Sequence, residues 1–435
     1  MPQLPAEIQW TTGRKIGLRF FIVFFLLYIF ANPNGVIPFT ESISTWCIQP
    51  LQHIIPWFAA HVLHLSKPIT IFTNGSGDTT YDYVTLLFVT ITAVLGCIAW
   101  TLLDRRRTTY DSLQYWLLVV IRYYLAATML EYGIIKVIKL QFPYPDLNRL
   151  LEPYGHSSPM GLAWTYMGYS QGYNYFAGLA EATAGLLLLF RRTTAAGALL
   201  AFVVASHIMA MNYCFDIPVK LLSTMMVAMA LYILYASGNI RRFTAFLFGN
   251  KTVGLDTIQP PAIRKRSLFI TLRVIKFMLA AYIFLGILYN AIQGRSEYGE
   301  GAPKIPLRGI YSTRIFLRNK DTLAALQTDT YRWKRLVVDG SQLYPYATIL
   351  KMDESPAAYY SVNSDTVRHT LAIRSYSDTT ESYNLSYRFP TPDSLVLTGI
   401  LKKDSLFITA KKMGEKDFLL MNRGFHFISE YPFNR

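Results

Sequence analysis

Charged residues are scarce in this chain, 16% of 435 against about a quarter in ordinary soluble domains. Cysteine is scarcer still. Cys47, Cys97 and Cys214 have no C-x-x-C spacing, which leaves no basis for thioredoxin-type redox chemistry or a zinc knuckle. There is no G-x-G-x-x-G, P-loop or cysteine cluster, so no covalently bound cofactor is expected. Acidic residues are also few, 27 against 42 Lys+Arg, for a net charge of +15. The basic clusters Arg105–Arg107, Arg191-Arg192, Arg241-Arg242 and Arg264–Arg266 each adjoin an apolar run. No RNA- or DNA-binding motif surrounds them, so no nucleic-acid partner is expected.

What is plentiful is apolar: 52% of residues are hydrophobic and 15% aromatic, concentrated before about residue 290. This excludes a wholly soluble enzyme and a disordered chain. A membrane-spanning helix needs about 20 mostly apolar residues. About seven such helices are predicted, at 16–31, 83–103, 113–135, 172–190, 194–213, 218–237 and 267–290. With the N-terminus inside, the inner segments hold Arg14-Lys15, Arg105–Arg107, Arg191-Arg192 and the six basic residues of 238–266. Outer segment 32–82 holds Lys67 alone. The positive-inside rule then predicts a multi-pass protein of the inner (cytoplasmic) membrane, with a cytoplasmic N-terminus and an extracytoplasmic C-terminal region.

The expected domains are a helical polytopic bundle over 1–294, carrying the outer-face segment 32–82, and a β-rich extracytoplasmic domain over 295–435. Within 32–82, Trp46 to Leu65 is apolar but interrupted by Pro56, with His53, His61 and His64 interspersed. It reads as one or two helices on the membrane surface or capping the bundle. Asn74-Gly75-Ser76-Gly77-Asp78-Thr79-Thr80 fits either a turn exposing N–H groups to an anion or a helix cap. Cys47 and Cys214 fall on the same side, so a disulfide between them is open.

From about residue 300, short alternating runs replace the long apolar ones. Strands are predicted at 331–338, 347–352, 357–362, 369–376, 383–389, 394–401, 406–409 and 417–428, with a hairpin turning at Lys402–Ser405. They suit a small antiparallel barrel or sandwich. The aromatic end, 422–435, reads as a last strand and a tail on the barrel mouth, or as a plug contacting the bundle or a ligand.

Ionisable groups inside a bilayer cost on the order of 2.5–3.5 kcal/mol each on the insertion scale, so those present are informative. Arg122, Glu181 and Lys276 are expected at similar depth near the midplane. A second set, nearer the outer face, comprises Glu131, Lys136, His207, Asn212, Asp216 and Lys220. These suit a polar pocket opening outward. Equally, they suit interhelical pairing, with Glu131 on Lys136 or Lys220 and His207 on a neighbouring hydroxyl. His207 has no second histidine at helical spacing, which argues against a haem or metal site.

Tyr132-Gly133-Ile134-Ile135-Lys136, a linker rich in Pro, Tyr and Gly, Tyr175-Phe176-Ala177-Gly178-Leu179-Ala180-Glu181, and Leu186–Phe190 before Arg191-Arg192-Thr193 together resemble DoxX-like membrane proteins. That family includes the small quinone-linked subunit of thiosulfate:quinone oxidoreductase. The resemblance covers roughly residues 112–237, and the chain looks like the longer bacterial form with an added β-domain. More distantly, Gly133-Ile134-Ile135-Lys136 is similar to the Gly-x-x-Lys helix end in the membrane domain of vitamin K-dependent γ-carboxylase. There, a lysine serves as base towards a reduced quinone.

The resemblance implies interaction with a quinone, coupled to oxidation of a small reduced compound. Lys136 would be the base or hydrogen-bond donor to a quinone oxygen, with Glu131, Glu181 and His207 as proton carriers. Arg122, Tyr132, Tyr173, Tyr175, Asn212 and Asp216 would line the site. Its expected partners are the lipid bilayer, a quinone and a partner membrane subunit. The alternative is a non-catalytic anchor whose β-domain binds a lipid, peptide or partner subunit. A transporter has less support, since no internal repeat of spans is found.

Overall fold

A computed structural model describes residues 10–33, 41–69, 71, 75–255, 265–353, 358–377, 381–401 and 404–434. Asn74, Arg264, the Lys402-Lys403 turn and the side chain of Cys47 lie outside them, and with Cys47 the possible disulfide. Cys97 is a free buried thiol and Cys214 a free exposed one.

The helices are α1 (Thr12–Ala31), α2 (Glu41–His61), α3 (Thr80–Leu103), α4 (Asp111–Val137), α5 (Leu147–Leu151), α6 (Pro159–Tyr169), α7 (Gln171–Leu189), α8 (Thr194–Cys214), α9 (Lys220–Ala236), α10 (Asn239–Leu247) and α11 (Arg266–Glu297). Among the described residues, four helical stretches are long and apolar enough to cross a membrane: α3, α4, 191–214 and α11. A fifth arises if α9 and α10, bent by 87° at their junction, count as one. Gly238, in the left-handed region at φ +75°, makes that junction. The expected segments 16–31 and 172–190 are both helical. However, α1 carries Arg14, Lys15 and Arg19, and α7 carries Gln171, Asn174 and Glu181. Polar load keeps both outside that set, so the structure supports four or five spans of the seven expected.

The chain divides into two compact units, 1–141 with 170–292 and 142–169 with 293–435. In the first, α4 is the central helix, with Ile121, Leu125, Ala126, Ala127, Met129 and Leu130 fully buried. Phe21 and Phe25 of α1 pack on Tyr232 of α9, with ring centroids 4.7 and 5.2 Å apart. The apolar stretch expected at 46–65 lies largely within the single helix α2, through Pro50 and Pro56. Ile55, Phe58 and Ala59 of α2 cluster with Val84 of α3.

The Gly75–Thr79 stretch is a double cap. The Thr79 side chain accepts from the Asp82 N–H, and Asp82 accepts from the Thr79 N–H, at the start of α3. Asp78 accepts from the N–H groups of Lys220 and Leu221 at 2.7 and 2.9 Å, capping α9 from a distant part of the chain. Its carboxylate thus meets two of the donors a helix start leaves unpaired.

The second unit contains strands β1 (Gly309–Arg318), β2 (Asp321–Thr322), β3 (Trp333–Gly340), β4 (Pro345–Lys351), β5 (Ala358–Asp365), β6 (Thr370–Ser375), β7 (Ser382–Thr391), β8 (Ser394–Leu401) and β9 (Asp404–Met413). All pairings are antiparallel, running β1-β3-β4-β5-β6-β7-β8-β9 and closing through β9–β1. This is an eight-stranded closed barrel, with β2 a short appendage on β1. An eight-stranded barrel is just wide enough for side chains to fill, and here they do. Tyr311, Phe316, Trp333, Tyr360, Tyr383, Leu395 and Ile408 belong to one buried cluster.

Two sequence expectations change. The closing strand β1 was not foreseen, because a register shift at Thr313/Ile315 breaks its alternation. Residues 417–428 are not a strand: a 3-10 turn at Glu415–Asp417 and a short helix at Leu419–Asn422 replace it. The segment 142–169 belongs with the barrel. Leu147 and Leu150 of α5 pack on Ile310 and Val337. Asp339 (5% exposed) accepts from the Leu147 N–H and from Arg308, which also pairs with Glu415.

Candidate functional site

The site is built by glycine on facing helices. A Cβ on Gly133 of α4 would lie 2.5 Å from the Ala182 nitrogen of α7. One on Gly178 would lie 2.6 Å from the Gly133 carbonyl oxygen, and one on Gly185 would lie 2.7 Å from that of Ala126. Small residues are what let helix backbones approach this closely inside a membrane. Lys136 and Glu181 each sit three residues beyond one of these glycines, on the same helix face.

The close contact joins them. Lys136 Nζ donates to Glu181 Oε1 at 2.5 Å and Oε2 at 2.7 Å. Their side chains are 4% and 2% exposed. Taking either charge alone out of water is expensive, and mutual attraction in the low-dielectric interior offsets much of that.

Around the pair the predicted residues divide. Tyr132, one turn earlier on α4, places its ring 5.7 Å from Lys136 Nζ. Glu131 is half-buried, and neither its carboxyl nor the Tyr132 hydroxyl has a hydrogen-bond partner among the described residues. His207 of α8 lies within electrostatic range of Glu181, although its ring is exposed.

The expected grouping of Arg122, Glu181 and Lys276 at one depth is not formed. Arg122 Nη1 donates to Thr194 Oγ1 at 3.2 Å, so the α7–α8 turn lies level with Arg122. Glu181 lies eight residues before the end of α7 at Leu189, about 12 Å from that turn at 1.5 Å per residue. A common depth would require the inner turn to lie level with the start of α4. The shorter α7–α8 hairpin puts Glu181 opposite Lys136 instead.

The remaining residues serve locally. Asn212 is buried and donates to the Val219 carbonyl and Ser223 Oγ. Asp216 is an exposed partner of Lys220 at 2.8 Å, and Lys220 also approaches Asp78 at 3.8 Å. Neither expected pairing of Glu131, with Lys136 or with Lys220, occurs. Tyr175 is exposed on α7, six residues from Glu181 and thus about 240° around the helix. Tyr173 stands near Phe176 with centroids 6.3 Å apart.

Sequence reasoning missed a second polar centre, at the α3–α4 connection. Arg19, 4% exposed, donates to the Tyr110 hydroxyl at 2.6 and 3.0 Å, to Thr101 and to the Asp104 carbonyl. Tyr110 donates in turn to the Asp104 carboxylate at 2.7 Å. That bond, with Arg107 and Arg19 adding, holds Asp104 below the usual carboxylate range. The visible signal was an arginine among phenylalanines, Arg19-Phe20-Phe21, too close to a helix end to separate from ordinary topology charge.

No family model matches this chain, and no solved structure does. Over 114 residues, 26% of this chain and 72% of its relative, it is 38% identical to the uncharacterized protein YwoB of Bacillus subtilis (strain 168). The chain belongs to the same family as that protein.

Proposed function

We propose that the helical unit is a quinone-interacting site of the DoxX-like type with oxidoreductase-type activity, in a multi-pass protein of the inner membrane. On this reading α1 and α7 also cross the bilayer, giving seven spans. The N-terminus is then cytoplasmic and the barrel extracytoplasmic, as the basic residues at Arg105–Arg107 and Arg191-Arg192 favour.

The observation that carries the reading is a polar group of mixed function sunk among apolar helices. Lys136 and Glu181 are paired and buried, and Glu131, five residues before Lys136 on α4, is half-buried without a partner among the described residues. Quinone oxygens accept hydrogen bonds, and Lys136 and Tyr132 supply donors. Reduction to a quinol takes up two electrons and two protons. Glu131, Glu181 and His207 would carry the protons, and a small reduced compound outside would supply the electrons.

The test is titration of the purified full-length protein with a ubiquinone or menaquinone analogue. Saturable binding that weakens in Lys136→Met and Glu131→Gln supports the reading. No binding to a folded wild-type protein overturns it. The orientation is tested separately, by reacting a cysteine introduced at Ser394 with a membrane-impermeant maleimide in intact cells.

A second reading has its own support. Lys136 and Glu181 satisfy each other, which suffices for a helix lock, and the barrel lumen is filled by side chains. On it the bundle is a membrane anchor, and the barrel binds a lipid, peptide or partner subunit on its outer surface. Pull-down of such a ligand by the full chain, with quinone binding absent, would favour the anchor.

A further inference from the structure

Cations gather around the α7–α8 turn without an acid to neutralise them. Arg122 is 3% exposed. Its Nη1 meets Thr194, its guanidinium lies 5.3 Å from the Tyr123 ring, and its buried Nε has no hydrogen-bond partner. Arg191 lies within electrostatic range of Arg122. Lys276 of α11 is within range of Arg122, Arg191 and Arg273. Phe277 packs against Phe190 of the turn, centroids 6.4 Å apart, which brings α11 alongside. Among the described residues, none of these four cations forms an ion pair.

The backbone adds to the positive field. The helical stretch begins as a 3-10 turn at Arg191–Thr193 that runs into α8, with no side-chain cap, so its dipole favours an anion at that end. The turn is also recessed. Gln114, near the start of α4, donates to the carbonyl of Ala236 at the end of α9, so these helices run on past the turn. Eight residues separate Gln114 from Arg122, a step of about 12 Å. A buried arginine without a carboxylate, beside an uncapped helix start and two further cations, would repel itself unless an anion sits among them.

We propose that a phosphate group binds in this recess, held by Arg122, Arg191 and Lys276 and by the start of α8. Arginine suits phosphate oxygens through its planar fork, and lysine serves as a point charge. A phosphate beside apolar helices comes either from an anionic phospholipid headgroup, whose acyl chains would lie along α11, or from free phosphate.

The experiment measures thermal unfolding of the full-length, detergent-purified protein with added dioleoyl phosphatidylglycerol, dioleoyl phosphatidylcholine or inorganic phosphate. A rise in Tm with phosphatidylglycerol alone establishes a lipid phosphate held with its anionic character, and a rise with inorganic phosphate establishes the free ion. The double variant Arg191→Gln/Lys276→Gln leaves the buried Arg122 in place. It should fold and lose affinity for the stabilising phosphate by roughly tenfold or more. Stabilisation by neither phosphate source, equal stabilisation by phosphatidylcholine, or an unchanged response in the folded double variant overturns the proposal.

Discussion

Lys136 of α4 grips both carboxylate oxygens of Glu181 on α7, at 2.5 and 2.7 Å, across a helix contact that Gly133 and Gly178 make close enough. The pair and the glycines are one device. Without the close approach the charges would not meet, and without the charges the contact would lack its polar lock.

Removing one partner should therefore cost more than removing both. Glu181→Ala or Lys136→Ala leaves an uncompensated buried charge and is expected to destabilise the protein by about 3–5 kcal/mol. The double variant Lys136→Met/Glu181→Leu should recover most of that loss. A double-mutant cycle on detergent unfolding measures the coupling; additive losses would mean that the pair is not coupled as described.

Gly133→Ala tests the contact itself. The new Cβ would fall 2.5 Å from the Ala182 nitrogen and 2.7 Å from the Gly178 oxygen, both backbone atoms that cannot rotate away. The helices must part, with an expected loss of about 1–3 kcal/mol. Gly155→Ala, with nothing within 4 Å of the added carbon, should leave the melting temperature unchanged.

Much of this was legible in the sequence, and unevenly. The apolar runs announced helices, and alternation announced strands β3 to β9, because burial of one face imposes those periods. Lys136 and Glu181 stood out as costly charges in apolar runs, but their pairing did not. Depth depends on how far each hairpin reaches, and the short α7–α8 hairpin is a tertiary fact. Strand β1 was hidden by its bulge. The docking of Leu147 on the barrel was hidden because a five-residue helix has too few positions to show a period.

The clasp between α5 and the barrel is separable from the barrel. Asp339 binds the Leu147 N–H at 3.1 Å and Arg308 at 2.8 Å. Asp339→Ala should raise hydrogen–deuterium exchange at 147–151 by at least tenfold, equal to about 1.4 kcal/mol, while β6 to β8 stay protected. Unchanged exchange at 147–151 would show that apolar packing on Ile310 and Val337 alone holds the helix.

The barrel should fail in alkali through its buried phenols. Tyr311, which donates to the Leu307 carbonyl at 2.8 Å, is pushed up to about 12 by burial, with Tyr387 adding. Tyr360 and Tyr383 donate to Glu381 and are raised well above the ordinary phenol, burial again leading. A raised folded value means the folded state holds the proton more tightly. The stability it contributes is complete below about pH 10 and is lost as pH climbs through the folded value. Unfolding of the full chain between pH 8 and 12 should show this decline, shallower in Tyr383→Phe; equal slopes would contradict it.

The most direct test of the ligand reading is photo-crosslinking with an azido-quinone, followed by peptide mapping of the full-length protein in its membrane. Adducts should concentrate on 128–139 of α4 and 174–185 of α7, compete with unlabelled quinone, and diminish in Glu131→Gln. Adducts spread along lipid-facing α11, indifferent to competitor and to that substitution, would contradict a quinone site at the Lys136–Glu181 pair.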